Sequence, residues 1–210
     1  GVSFNYTDGH YYKTIRSLLG GEFWRDIDNF SERDFPDNPT ILQNDLNNPN
    51  RRVKKGDKFG YDYNIRSYIA KAWLQNQITT THWDVNYGLE MSYTNFMRHG
   101  NMRNGRAPEN SYGAGKRHTF DNAALKAGAT YKINGRNYIT AHASYGTRAP
   151  LPDQAYVSPR IKDTSVTGLK SERYLSGDIS YGWNYTSFRG QITGFWTEMY
   201  DGLQKTAFYD

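Results

Sequence analysis

The chain has 210 residues, no cysteine and a net charge of +5, which excludes disulfides and thiolate zinc sites. Only 37% of its residues are hydrophobic, yet 16% are aromatic, and chains that are polar through disorder are poor in aromatics. No apolar run of about 18 residues exists, so a membrane-spanning helix is excluded, and the dispersed basic residues read as solvated loop charge rather than a nucleic-acid surface.

The opening Gly1-Val2-Ser3-Phe4 carries no initiator Met and no signal-peptide layout. Residues 2–7 read as the end of a strand entered in mid-fold, as in a processed chain or a fragment. Residues 8–63 read as an elaborated loop with its own small core. Tyr11, Ile15 and Leu18 have helical spacing, ended by Gly20-Gly21. Phe23, Ile27 and Phe30 mark a second short helix, and Asp-Asn-Pro punctuation follows it. Residues 65–76 are ambiguous: Ala70, Ala72 and Leu74 suggest one apolar face with Lys71 on the other, but Ile65, Ile69 and Trp73 disagree.

Strict alternation then sets in. Trp83, Val85, Tyr87, Leu89, Met91 and Tyr93 oppose Asp84, Asn86, Gly88, Glu90, Ser92 and Thr94, a two-residue period that only a strand produces. The pattern recurs over 122–133, 138–145, 175–184 and 188–197, giving about seven strands. Short turns fall at Thr79–His82, at Asn134-Gly135-Arg136, an Asn-Gly hairpin signal, and at Asn184–Ser187. Long connections fall at 8–63, 98–119 and 147–169. Antiparallel order places all the short turns at one end and all the long loops at the other.

A soluble β-sandwich also alternates. Three features favour an antiparallel transmembrane β-barrel segment. The strands run about 10–15 residues, against a mode of 5–6 in soluble proteins. The polar faces carry Glu90, Lys126, Lys132, Asp178 and Arg189, as a water-filled lumen would. Aromatics collect near the short turns (Trp73, Trp83, Tyr131, Tyr138, Trp183, Tyr185 and Phe188), as in a headgroup-level girdle. The fold expected is all-β, with long extracellular loops, one of them containing short helices.

The order of several short motifs adds a resemblance. Tyr145-Gly-Thr-Arg-Ala-Pro150 ends one strand, Leu169-Lys-Ser-Glu172 opens the next, and Phe195-Trp-Thr-Glu-Met-Tyr-Asp201 closes the following hairpin. Asn44–Asn50, Gly56–Tyr63 and Asn104–Ser111 add loop elements. This succession resembles the C-terminal half of TonB-dependent outer-membrane receptors, in a nutrient- or glycan-type branch, over most of the chain. The resemblance implies a bacterial outer-membrane location and import energised by the TonB complex. It implies a small-molecule or oligosaccharide cargo, a surface-lipoprotein lid, no cofactor and no bond chemistry. Such receptors have about 22 strands with an N-terminal plug. No plug, no TonB-box segment and no final strand ending in an aromatic residue is read here, so residues 1–210 are expected to be a partial barrel, with TonB engaged through the missing plug. The alternatives are a secreted carbohydrate-binding sandwich and a plugless porin-type channel.

Ligand-binding candidates lie in the long loops. Tyr11, Tyr12, Phe23 and Trp24 offer stacking faces; Arg98, Arg103 and Arg106 with Asn101 and Asn104 offer hydrogen bonds. The competing reading is a loop core for the aromatics and solvated loop for the rest. None of the five histidines has a partner at metal-ligand spacing, and Asp26-Ile-Asp28 lacks the other ligands of a calcium loop. Glu90 and Asp178 form a conceivable catalytic carboxylate pair, but both fall on strand faces where charge is the default. No metal site and no catalytic residue is expected.

Overall fold

The computed structural model describes residues 1–204. Strands take 56% of the residues and helix 5%, so the chain is all-β. Seven long strands build the main sheet: β1 (Val2–Thr14), β4 (Lys58–Thr79), β5 (Trp83–Gly100), β7 (His118–Lys132), β8 (Asn137–Arg148), β9 (Glu172–Asn184) and β10 (Arg189–Tyr200). They pair in that order, each antiparallel to the next. The sheet is not closed into a barrel. Among the described residues β1 and β10 each pair with one long strand only. Shorter elements decorate the loops: β2 (Trp24–Arg25) pairs with β3 (Arg52–Val53), β6 (Gly113–Ala114) pairs with the end of β5, and two short helices are α1 (Asn29–Asp34) and α2 (Pro152–Ala155). The expected absence of a final strand ending in an aromatic residue falls on residues 205–210, outside the described residues.

Short turns at 80–82, 133–136 and 185–188 lie at one end; connections 15–57, 101–117 and 149–171 lie at the other. The first loop is therefore narrower than 8–63. Residues 8–14 continue β1 against Lys58–Arg66 with one bulge after Tyr12, so the helical spacing of Tyr11, Ile15 and Leu18 does not become a helix. Nor do Phe23, Ile27 and Phe30 share one. Trp24 is in a ladder, Ile27 bridges Gln43, and α1 starts at Asn29, where the Asp28 carboxylate accepts from the Phe30 and Ser31 N–H groups. The 133–136 turn also differs from the glycine-led form. Gly135 is not in the left-handed region; the Asn134 side-chain oxygen accepts from the Arg136 and Asn137 N–H groups, both at 2.9 Å.

From β4 to β9 the pairing has a constant stagger. Leu74, Leu89, Leu125, Tyr145 and Leu175 are partners in succession across β4, β5, β7, β8 and β9. They stand five, six, seven, eight and nine residues from the short-turn ends of their strands. One residue of rise (~3.4 Å) per strand spacing (~4.8 Å) tilts the strands by about 35° from the normal to the line of turns.

Directly paired residues share a face, so the register sorts the side chains. One face is apolar and uncovered: Phe4 is 84% exposed, Leu125 54% and Ile179 61%. The other carries Glu90, Lys126, Lys132, Asp178 and Arg189 together, as their alternation required. Trp73 and Tyr138 do not belong to the apolar face. Trp73 is opposite Glu90, and Tyr138 is opposite Lys132 and Gly182. Tyr138 has a local reason: a Cβ on Gly182 would sit 2.2 Å from its ring, so the ring lies on the bare glycine. Gly146 under Tyr174 and Gly190 under Trp183 repeat the device, which is cross-strand cover of a residue without a side chain.

The buried core is small and lies on the polar face at the long-loop end. Tyr63, Ile65, Phe96 and Phe120 from the strands pack with Ala155 and Tyr156 from the 149–171 loop. This explains the ambiguous β4 pattern, because Ile65 is covered by a loop and Ala70, Ala72 and Leu74 by nothing. Neighbouring loops touch backbone to backbone. A Cβ on Gly105 would stand 1.9 Å from the Thr40 carbonyl oxygen, and Gly105 N–H donates to the Gln43 carbonyl at 2.8 Å. Gly105→Ala is expected to push the 101–117 and 15–57 loops apart. Faster limited proteolysis of both loops at unchanged strand protection is the measurement.

Candidate functional site

On the polar face, below the core, lies a cavity of about 600 Å³. The turn Ala149-Pro150-Leu151-Pro152 roofs it, and Ser67, Lys71, Glu90, Ser92, Thr94, Arg148, Glu172 and Tyr174 contribute to its walls. Sequence and register set these positions. Arg148 ends β8 and Glu172 opens β9; the two are ladder partners, and Arg148 Nε and Nη2 donate to one Glu172 oxygen at 2.8 and 2.7 Å. Lys71 and Glu90 pair at 3.3 Å across β4 and β5. The Arg-Ala-Pro and Leu-Lys-Ser-Glu motifs are therefore the two ends of one connection, closed by an ion pair.

Further toward the short turns the same face neutralises itself. His142 pairs with Asp178 at 3.0 Å and Lys132 with Asp84 at 2.7 Å. Hydroxyls pair as Ser144–Ser176, Thr130–Thr140 and Ser180–Thr193. Glu90 and Asp178, the conceivable carboxylate pair, are three strand spacings apart, on β5 and β9. Asp178 also stands four residues from Tyr174, which shares the rung of Glu90, so the separation along the sheet is about 20 Å, beyond either glycosidase geometry. The wall presents hydrogen-bonding groups and several compensated charges, while Lys126 and Arg189 on the same face have no ion-pair partner among the described residues.

The loop candidates are scattered. Tyr11 and Tyr12 are strand residues on opposite faces: Tyr11 stacks on Tyr63 at 5.1 Å, and Lys58 Nζ lies 4.7 Å from the Tyr12 ring. Trp24 is about half exposed beside Phe23, over which Arg52 stacks at 4.5 Å. Arg98 is 2% exposed; Nε donates to the Pro159 carbonyl at 2.7 Å and Nη1 to the Ser111 carbonyl at 2.9 Å. It ties two loops to β5. Asn101 donates to Asp62 and Asn64 at 2.8 and 2.9 Å. Arg103 holds the Pro108 carbonyl at 2.8 Å and Glu109 at 3.3 Å. Asn104 is buried, its side chain accepting from the Arg106 N–H, and Arg106 reaches Asp28 at 3.3 Å. In this structure the Arg and Asn side chains hold the loops to one another. The cavity residues Lys71, Arg148 and Glu172 are absent from the sequence-derived set, although the two motifs already contained the last two.

The 15–57 loop is organised by a carboxylate. Asp26 accepts from Asn44 Nδ2 at 2.9 Å, the Gly60 N–H at 2.8 Å and the Arg51 guanidinium. Asp28 caps α1. Both acids of Asp26-Ile-Asp28 thus have structural partners. Among the described residues no three His, Asp or Glu side chains converge as a metal site.

No family profile, no curated protein and no solved structure matches the chain.

Proposed function

We propose that the chain is part of the wall of a TonB-dependent outer-membrane transporter. One observation carries the reading: most aromatic residues of the uncovered apolar face gather at two levels, with Tyr87 and Trp196 as the exceptions between them. Trp83, Tyr131, Tyr181 and Trp183 stand near the short turns; Tyr6, Tyr68, Tyr93 and Tyr145 stand near the long loops. Leu74, Val85, Leu89, Met91, Leu125 and Ile179 lie between them. Trp83 and Tyr93 are ten residues apart on β5. That is about 28 Å across a slab once the 35° tilt is allowed for, close to the ~25 Å apolar band of outer-membrane barrels. The tilt itself falls in their range of roughly 35–45°. Past the second level, charge returns with the Asp8–Arg66 pair.

A sheet in lipid has no open edge, so β1 and β10 would pair with further strands of a larger closed wall. The three long connections would face outward, and the polar face would line the lumen. TonB would act through a plug outside this stretch, and a surface lipoprotein is the lid partner the resemblance implies. The protein moves its cargo without bond chemistry. The paired charges around the cavity suit an uncharged polar cargo, such as an oligosaccharide, better than an ionic one. A sandwich would cover the apolar face with a second sheet, and the other sheet among the described residues is the two-stranded β2–β3 ladder.

In the intact protein, Leu125→Arg is expected to cost about 2–4 kcal/mol of stability in bilayer vesicles. Lys126→Arg, on the other face of the same strand, should change little. Refolding titrations into vesicles measure both. Equal effects at the two positions, or an intact protein that stays monodisperse without detergent, would sink the reading.

A further inference from the structure

His118 is the first residue of β7 and the ladder partner of Phe96. It is 8% exposed. Its ring lies 5.4 Å from Phe96 and edge-on to Tyr156 at 5.8 Å. Its Nε2 has no hydrogen-bond partner, and neither does the hydroxyl of Tyr156, which is 1% exposed. Around this ring pair the 101–117 and 149–171 loops are joined by few bonds. The Asp163 N–H donates to the Asn110 carbonyl at 2.7 Å, and the Lys116 N–H donates to Asp163 Oδ2 at 2.6 Å. Arg98 bridges Pro159 and Ser111. The other Asp163 oxygen is buried without a partner.

The groups facing His118 are unevenly charged. Arg98 follows Phe96 on the same face of β5, and Lys116 approaches from the preceding loop; both oppose a further positive charge. Asp163 alone favours one, and Tyr156 offers a neutral phenol. Elsewhere on that face Arg148 and Glu172 neutralise each other, and Arg160 of the 149–171 loop, also opposed to a further positive charge, lies over the Tyr61 ring at 5.1 Å.

We propose that this cluster is an acid-released latch, in which proton uptake by His118 parts the 101–117 and 149–171 loops above the cavity. A neutral imidazole suits a site walled by Phe96 and Tyr156; an imidazolium there has lost its water. Burial accordingly pulls the His118 imidazole below its ordinary value, and Lys116 adds to this, while Asp163 works against it. The sign follows. The closed latch binds a proton less well than the open one, so its hold is full above about pH 6.5, the ordinary histidine value. The hold weakens as the pH falls below that value, until the closed form also protonates. Opening would lift the 149–171 loop, including the cavity roof.

Hydrogen exchange on the intact protein, corrected for intrinsic pH dependence, tests this at pH 7.5 and 5.5. Protection over residues 108–117 and 158–166 should fall severalfold at the lower pH, to a ceiling of about tenfold because pH 5.5 lies about one unit below the ordinary histidine value, with β4 and β5 unchanged. His118→Phe keeps a ring against Phe96 and cannot titrate, so its protection should be equal at the two pH values. If that variant does not fold, titration of the labelled His118 ring in the wild type decides; its midpoint should lie below about 6.5 and coincide with loop release. Unchanged wild-type protection at pH 5.5, the same fall in His118→Phe, or a His118 titration without release overturns the proposal.

Discussion

Replacing Phe96 by Ala is expected to destabilise the protein by about 3–5 kcal/mol, as large-to-small changes at buried aromatic positions do. Phe96 is 0% exposed. Its ring meets His118, Phe120 and Tyr156 at centroid distances of 5.4, 5.7 and 6.2 Å. It is the element that binds the 149–171 loop to the sheet, because Tyr156 and Ala155 reach the strands through it and its neighbours. The lost burial and the cavity left behind add together. Phe96→Leu keeps most of the volume and should cost less than half as much. Denaturant titration of the intact protein gives the totals. Proteolysis or exchange within 149–171 should show that the loop, not the strands, opens first. An Ala variant with a fully protected 149–171 loop would contradict this assignment of the core.

Asp26→Ala is the second large effect, also about 3–5 kcal/mol, because the buried carboxylate is the shared acceptor of three donors besides being an ion-pair partner. The Asp26 side chain is 0% exposed, and the Arg51 side chain is 27% exposed. Loss of the carboxylate leaves Arg51 with only the Lys58 carbonyl, at 2.7 Å, and leaves Asn44, itself 7% exposed, and the Gly60 N–H without their acceptor. Gly60 belongs to β4 and Asn44 to the middle of the loop, so a single carboxylate pins the loop to the strand. Because Arg51 is partly solvated, the charge term is the smaller part and the lost hydrogen bonds the larger. Adding Arg51→Ala to Asp26→Ala should therefore cost little more than Asp26→Ala alone. A double-mutant cycle should give a coupling within roughly 0.5–3 kcal/mol; strict additivity would show that the two groups act separately.

The strand framework was legible in the sequence because alternation is a local signal. Five of the seven long strands (β5 and β7–β10) and the three short turns are where Trp83–Tyr93 and its repeats placed them, whereas β1 runs on past residue 7 and β4 starts at Lys58, inside the stretch read as loop. Which face is covered is not local. Ile65 and Phe96 are buried by Tyr156, a residue far along the chain, and no two-residue period reports that. The same blindness put Trp73 and Tyr138 with the apolar aromatics, although counting alternate positions from Ala72 and Ile139 would have moved them. Tyr11 and Tyr12 misled differently. In β1 the sequence Gly9-His-Tyr-Tyr-Lys13 alternates no polarity, so its strand character depends on the partner Phe59–Ile65. For the loop residues, type was informative and role was not. Arg98 and Asn104 have the chemistry of ligand contacts, and the fold applies it to the loops' own carbonyls and N–H groups.

The one-residue stagger reaches beyond the residues that display it. If the register persists around a closed wall, the shear number equals the number of strands, and the inclination of the strands no longer depends on how many there are. Each strand then occupies about 6 Å of circumference, its ~4.8 Å spacing divided by the cosine of the tilt. Every added hairpin widens the bore by about 4 Å without changing the height of the wall. Seven strands span roughly 41 Å of arc, and a closed ring of 22 would measure about 41 Å across its backbone. On this geometry the diameter of the passage is set by counting hairpins, and the slope of its wall by the registry seen in each pair from β4 to β9.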